Sequence, residues 1–86
     1  NTEQRIAIKG YLMRRISVMQ GKTPQSYRIL LTNLYEMFPE TLNRAQLKRI
    51  KDYATIVLDF WQHEKFIKGY KLVKKKGKDH AIDIDP

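Results

Sequence analysis

The amino-acid sequence predicts an α+β fold in which three or four helices are followed by a two-stranded β-hairpin. Up to about residue 65, apolar side chains recur at intervals of three and four, as one face of a helix requires. After Gly69 the interval falls to two: Tyr70 and Leu72 alternate with Lys71 and Val73, and Ile82 and Ile84 with Ala81, Asp83 and Asp85. Between these stretches Lys74, Lys75, Lys76, Gly77, Lys78 and Asp79 form a polar tip containing a glycine, so residues 70–85 read as a hairpin.

The first helix is expected over residues 3–20. Ile8, Leu12, Ile16 and Met19 form its buried stripe, Thr2 stands at the N-cap, and Gly21 stops it. Gly10 in its interior costs roughly 1 kcal/mol relative to alanine, which points to a close approach by another element. A second helix is expected to start at Thr23 and Pro24 and run to Phe38, with Tyr27, Leu30, Leu31, Leu34 and Phe38 along one face and Pro39 ending it. The third begins at Asn43, which with Gln46 forms a capping-box pair flanked by Leu42 and Leu47 at staple positions. From there Leu47, Ile50, Ala54, Val57, Leu58 and Trp61 keep one phase to about Lys65, as a single helix would. The alternative is two helices separated by a turn at Lys48–Lys51, with Asp52 capping the second.

Eighty-six residues suffice for one domain with one core, and 42% apolar residues are enough to pack it, so global disorder is excluded. Seventeen Lys and Arg against nine Asp and Glu leave a net charge of +8, a field that attracts polyanions. No apolar run approaches the ~18 residues of a membrane span and no basic-then-apolar leader opens the sequence, so neither membrane insertion nor secretion is expected. The absence of cysteine fits a reducing interior, and the expected location is intracellular: cytoplasm, nucleoid or nucleus. A start at Asn1 and a finish at Pro86 directly after a strand-like stretch read as a domain excised from a longer protein.

The order of helices followed by a lysine-rich hairpin resembles the winged helix-turn-helix superfamily, most closely from Asn43 onward. On that resemblance Leu47 and Ile50 belong to a supporting helix, and Ala54, Leu58 and Trp61 to the buried side of a recognition helix. Phe66 and Ile67 are then the apolar pair before the wing, and residues 70–85 the wing itself. The helix ending at Phe38 becomes the family's first helix and residues 3–20 an N-terminal addition. The resemblance implies double-stranded DNA as the partner, with the wing on the phosphate backbone and Arg49, Lys51, Tyr53 and Gln62 at or near the major groove.

The residues support that partner independently at the hairpin. Lys71, Lys74, Lys75, Lys76 and Lys78 place ammonium groups on a tip where phosphates are tracked without fixed geometry; the plainer reading is a solvated turn whose lysines keep an edge strand from aggregating. Base reading is less well provided for, since Gln62 alone on the helix is of the usual base-reading type and Asp59 sits close by. Ile56 and Phe60 form an apolar surface beyond the core, so a second reading makes the domain a protein-interaction module or homodimer using those residues and the N-terminal helix. A third has exposed aromatics stacking unpaired bases of single strands or RNA. Catalysis is not expected: His63 and His80 are far apart, Ser17 and Ser26 lack a nucleophile elbow, and no glycine-rich phosphate loop occurs. No metal or cofactor is expected either, because Asp79, Asp83 and Asp85 are placed to face lysines across the hairpin.

Overall fold

The computed structural model describes residues 2–21 and 27–86. It is α+β, with three helices and a three-stranded antiparallel sheet in the chain order α1 (Thr2–Met19), β1 (Arg28–Leu30), α2 (Leu31–Glu36), α3 (Arg44–His63), β2 (Gly69–Lys75) and β3 (Lys78–Asp85). The strands lie side by side as β1-β3-β2, so β3 is central.

The stripe expected of the first helix is the stripe that is buried: Ile8, Leu12, Ile16 and Met19 are each 2% exposed or less. Thr2 is already helical. Gly10 accommodates no neighbouring element, because a Cβ there would have as its nearest atom Arg14 Nη1 of the same helix, at an ordinary 3.5 Å.

The expected helix to Phe38 is corrected. Its start at Thr23 and Pro24 lies outside the described residues, and Arg28, Ile29 and Leu30 are strand, paired with Asp83, Ile82 and Ala81. Helix remains only over Leu31–Glu36, with Leu31 and Leu34 buried. Sheet pairing wins because it buries Ile29 completely, whereas a helix on the expected stripe would turn Ile29 away from the core; Tyr27, expected on that stripe, is instead half exposed. The two-stranded hairpin accordingly becomes three-stranded, with β1 covering the edge of β3 that the hairpin leaves open.

Residues 44–63 form one uninterrupted helix, so there is no turn at Lys48–Lys51 and no division into supporting and recognition helices at that point. The capping box is complete: the Gln46 N–H donates to Asn43 Oδ1 and the Asn43 N–H to Gln46 Oε1, both at 2.9 Å. With no glycine or proline between Arg44 and His63 and an unbroken apolar phase, nothing in the sequence interrupts propagation. The far end closes in a Schellman motif, in which Phe66 N–H donates to Trp61 O (2.9 Å) and Lys65 N–H to Gln62 O (3.1 Å). Lys65 takes the left-handed conformation this requires (φ 63°), and the rings of Trp61 and Phe66 meet edge to face at 5.4 Å.

The core lies between the helices and the sheet face carrying Ile29, Leu72, Ile82 and Ile84. Ile82 joins the three strands, opposite Ile29 on one side and Leu72 on the other. From α3, Ile50, Ala54, Val57, Leu58 and Trp61 pack down on this layer, and Ile67 closes the end beneath the Schellman turn.

Candidate nucleic-acid interface

The hairpin of β2 and β3 turns on Lys76 and Gly77, which both have positive φ (54° and 78°) and join the facing pair Lys75 and Lys78. Two successive left-handed residues match the twist of the strands they connect, which makes a tighter tip than the six-residue stretch expected from the sequence. One residue below, the register shifts so that Val73 faces Ala81 while Lys74 faces Asp79, leaving His80 as the extra residue of a bulge. A bulge bends and twists its strand and so re-aims the tip.

Two contacts clamp this hairpin to α3. Near its base, Tyr70 OH donates to Asp59 Oδ1 at 2.5 Å, and near its tip Lys51 Nζ forms a partly buried ion pair with Asp79 Oδ2. The distances agree: four strand residues from Tyr70 to Lys74 cover about 13 Å, and eight helical residues from Asp59 back to Lys51 about 12 Å. The hairpin therefore runs antiparallel to α3, and its tip continues past Lys51 toward the helical turns that carry Lys48 and Arg44. At 100° per residue, Arg44, Lys48, Lys51, Thr55 and Gln62 fall within about 60° of one another, on the flank of α3 that meets the hairpin.

Electrostatics on this flank are sorted by the clamps. Hydrogen bonding and proximity to Lys51, with a further contribution from Lys74, hold the Asp79 carboxyl below the usual range, and the same bond raises Lys51. Burial, reinforced by the bond to Asp59, pushes the Tyr70 hydroxyl up to about 12, so it remains a donor. Across the sheet, Arg28 donates to both oxygens of Asp83 (2.7 and 3.1 Å) and thereby lowers that carboxyl, with Lys71 opposite it on the other side. Lys74, Lys75, Lys76 and Lys78 are all exposed, and no ion pair among the described residues involves them.

The nine residues singled out in the sequence thus divide. Lys74, Lys75, Lys76 and Lys78 form the tip, Lys71 lies lower on the same strand opposite Asp83, and Gln62 is exposed on the hairpin flank of α3. Lys51 is on that flank but engaged with Asp79. Arg49 and Tyr53 are each about 160° around the helix from Lys51, on the side toward α1, so one continuous helix does not bring them together with the hairpin. Arg5 stacks over the Tyr53 ring at 5.4 Å there. Arg44 and Lys48 join the site in their place. Arg44 is marked in the sequence by its position in the first turn after Asn43, beside backbone N–H groups that favour an anion, whereas Lys48 joins it only once residues 44–63 form a single helix and the spacing 44, 48, 51, 55 falls on one face.

Among the described residues no group of three or more His, Cys, Asp or Glu side chains is arranged to hold a metal, and no helix is long and apolar enough to cross a membrane. Comparison with family models, curated proteins and solved structures finds no match to this chain, so its function is read from residues and geometry alone.

Proposed function

We propose that this chain is a winged-helix DNA-binding domain that grips the phosphate backbone with its hairpin tip and lays the adjoining flank of α3 along the major groove. The observation that carries the proposal is the convergence of Lys74, Lys75, Lys76 and Lys78 with Arg44 and Lys48, six exposed cations from two elements held at fixed separation by the Tyr70–Asp59 and Lys51–Asp79 clamps. Cations aligned on a hairpin and on an adjacent helix neutralise successive phosphates, and the counterions those phosphates release supply the binding free energy.

The winged-helix register shifts under this proposal. The supporting helix is α2, the connection is residues 37–43, and the whole of α3 is the recognition helix, with α1 as the family's first helix. Phe66 and Ile67 keep their place as the apolar pair, and β2 and β3 theirs as the wing. Asn43 with its capping box then starts the recognition helix, so the helix N-terminus that favours anions lies beside Arg44. Base contacts fall to the exposed Gln62, since the Thr55 hydroxyl donates to Asp52 O (2.8 Å) in a half-buried position, while Asp52 and Asp59 on the exposed side repel phosphate, so most of the affinity is independent of sequence.

The test is fluorescence anisotropy with a labelled duplex of about 20 base pairs and its single strand across a salt series. Six phosphate contacts predict a slope of log K against log salt near −5, given about −0.9 per contact, and removing the four tip lysines with alanine should bring it to about −2. An unchanged slope in that variant, or no binding of either oligonucleotide at about 50 mM salt, refutes the assignment. Tighter binding to the single strand would transfer the tip to unpaired nucleic acid.

A further inference from the structure

The flank of α3 turned away from the hairpin carries a second surface. α1 and α3 run parallel: Arg5 lies over Tyr53, and at the other end the Gln20 side chain donates to Phe66 O at 3.0 Å. Ile6, Met13 and Gln20 recur every seven residues and so form one stripe of α1, whose last member touches the chain just beyond α3. At this register Met13 is level with Phe60, and Lys9 with Ile56. Ile6 (67% exposed), Met13 (39%), Ile56 (62%) and Phe60 (57%) together leave an apolar strip about 10 Å long across the seam.

The strip leads into a groove of about 300 Å³ between the two helices. Its floor is Ile8 and Ile50, only 2% and 3% exposed, and its walls include Arg5, Arg49, Tyr53 and Ile56. Asp52 is the one acid lining it, against Arg5 and Arg49, with Lys9 at the level of Ile56 on the α1 side. An apolar strip about two helical turns long, on a seam between parallel helices, fits a third helix with anchors at i, i+3 or i+4, and i+7. The bordering arginines and lysine require that helix to be acidic outside its apolar face. A second copy meets this poorly, because it would bring another +8 and set arginines against arginines.

We propose that the α1–α3 face docks an acidic amphipathic helix of a partner protein, with an apolar side chain seated over Ile8 and Ile50 and carboxylates facing Arg5, Lys9 and Arg49. The face points away from the hairpin tip, so the domain holds this partner and a polyanion at once. The docking stands whether or not the tip binds DNA.

The probe is a fluorescent peptide of about 18 residues built from Leu and Glu, with leucines at helical i, i+3, i+4 and i+7 positions. Its controls are a scramble of the same composition and a version with Lys for Glu. Titrated into the isotopically labelled chain, the peptide should bind at least about tenfold more tightly than either control and shift the resonances of Ile6, Met13, Tyr53, Ile56 and Phe60. Arg5→Glu together with Arg49→Glu should weaken it about tenfold or more, whereas alanine at Lys74, Lys75, Lys76 and Lys78 should leave it unchanged. Equal binding of the scramble, or shifts confined to the tip lysines, overturns the proposal. Concentration-dependent sedimentation of the chain alone, abolished by Ile56→Asp and Phe60→Ser, would make a second copy the occupant and overturn it as well. Retention of duplex DNA, measured in the same samples, separates a failure here from a failure of the DNA reading.

Discussion

Replacing Asp79 with asparagine should move stability and DNA affinity in opposite directions. In the native chain this carboxylate engages Lys51 and faces Lys74 across the ladder, so it offsets positive charge at the point where helix and hairpin tip meet. Asparagine preserves its size while raising the net charge by one. Both partners in the ion pair retain about a quarter of their side-chain exposure, 22% for Lys51 and 24% for Asp79. Such a pair contributes on the order of 1 kcal/mol. For a domain of this length that corresponds to a fall in Tm of about 4–8 °C, measured by circular dichroism.

Binding should respond the other way, because Lys51 and Lys74 lose their acidic neighbour. Lys74 is already one of the six contacts, so the new one is Lys51, and the salt slope should steepen by about 1, at about 0.9 per contact. Lys51→Ala is the complementary change: it leaves Asp79 facing Lys74, so stability and slope should fall together, the slope by about 1. Anisotropy with one duplex over 50–200 mM salt reads both variants. A weaker affinity for Asp79→Asn would refute this reasoning and make the ion pair a brace on which the placement of the tip depends. An unaltered affinity would show that Lys51 lies beyond reach of the backbone even when released.

Three further outcomes follow from the same geometry. Gly10→Ala should stabilise the domain by up to about 1 kcal/mol in urea unfolding, because the new methyl meets only Arg14 at 3.5 Å and the helix loses its most flexible interior residue. Lys65→Gly should stabilise by about 1 kcal/mol, since Lys65 holds a left-handed φ of 63° at the Schellman position, and a destabilised variant would mean that its side chain contributes elsewhere. Acid should weaken the fold: Asp79 and Asp83 have carboxyls depressed by Lys51 and Arg28, so their contribution is fully present above the usual Asp value of about 4 and is lost as pH falls through the lowered native values. A pH series of urea midpoints in Asp79→Asn with Asp83→Asn should accordingly be flatter below about pH 4 than in the native chain.

What could be read in the sequence depended on whether the governing interaction was local. The capping box at Asn43 and Gln46, the stripe of Ile8, Leu12, Ile16 and Met19, and the change of period after Gly69 each lie within a few consecutive residues, and each corresponds to the structure. β1 was hidden because its cause lies 55 residues away in the pairing of Arg28 with Asp83, while its own three residues sit inside a pattern that also satisfies a helix. The one available hint was Ile29, an apolar residue off the expected stripe. The candidate site was legible at its tip, where lysines cluster in the chain itself. Its other half was not, because placing Arg44 and Lys48 beside that tip requires both the unbroken run of α3 and the direction of the hairpin, which Tyr70 and Lys51 set through contacts with Asp59 and Asp79.

The tip also departs from what folding alone would favour, and those departures bear on function. Lys75 and Lys78 face each other directly, a like-charged pair that destabilises a ladder by a few tenths of a kcal/mol up to about 1. Lys76 adopts a left-handed conformation that costs a side-chain-bearing residue about 1 kcal/mol, at a turn position where asparagine would be easier. β2 is a free edge of the sheet, so edge protection accounts for the lysines along it, but not for the left-handed Lys76 in the turn or for Lys78 set directly against Lys75. Local costs of this kind persist where something outside the fold compensates them. On the DNA-binding proposal a row of phosphates would do so directly: it would convert the repulsion between Lys75 and Lys78 into shared attraction and give the exposed ammonium of Lys76 an ion-pair partner, which it has nowhere among the described residues.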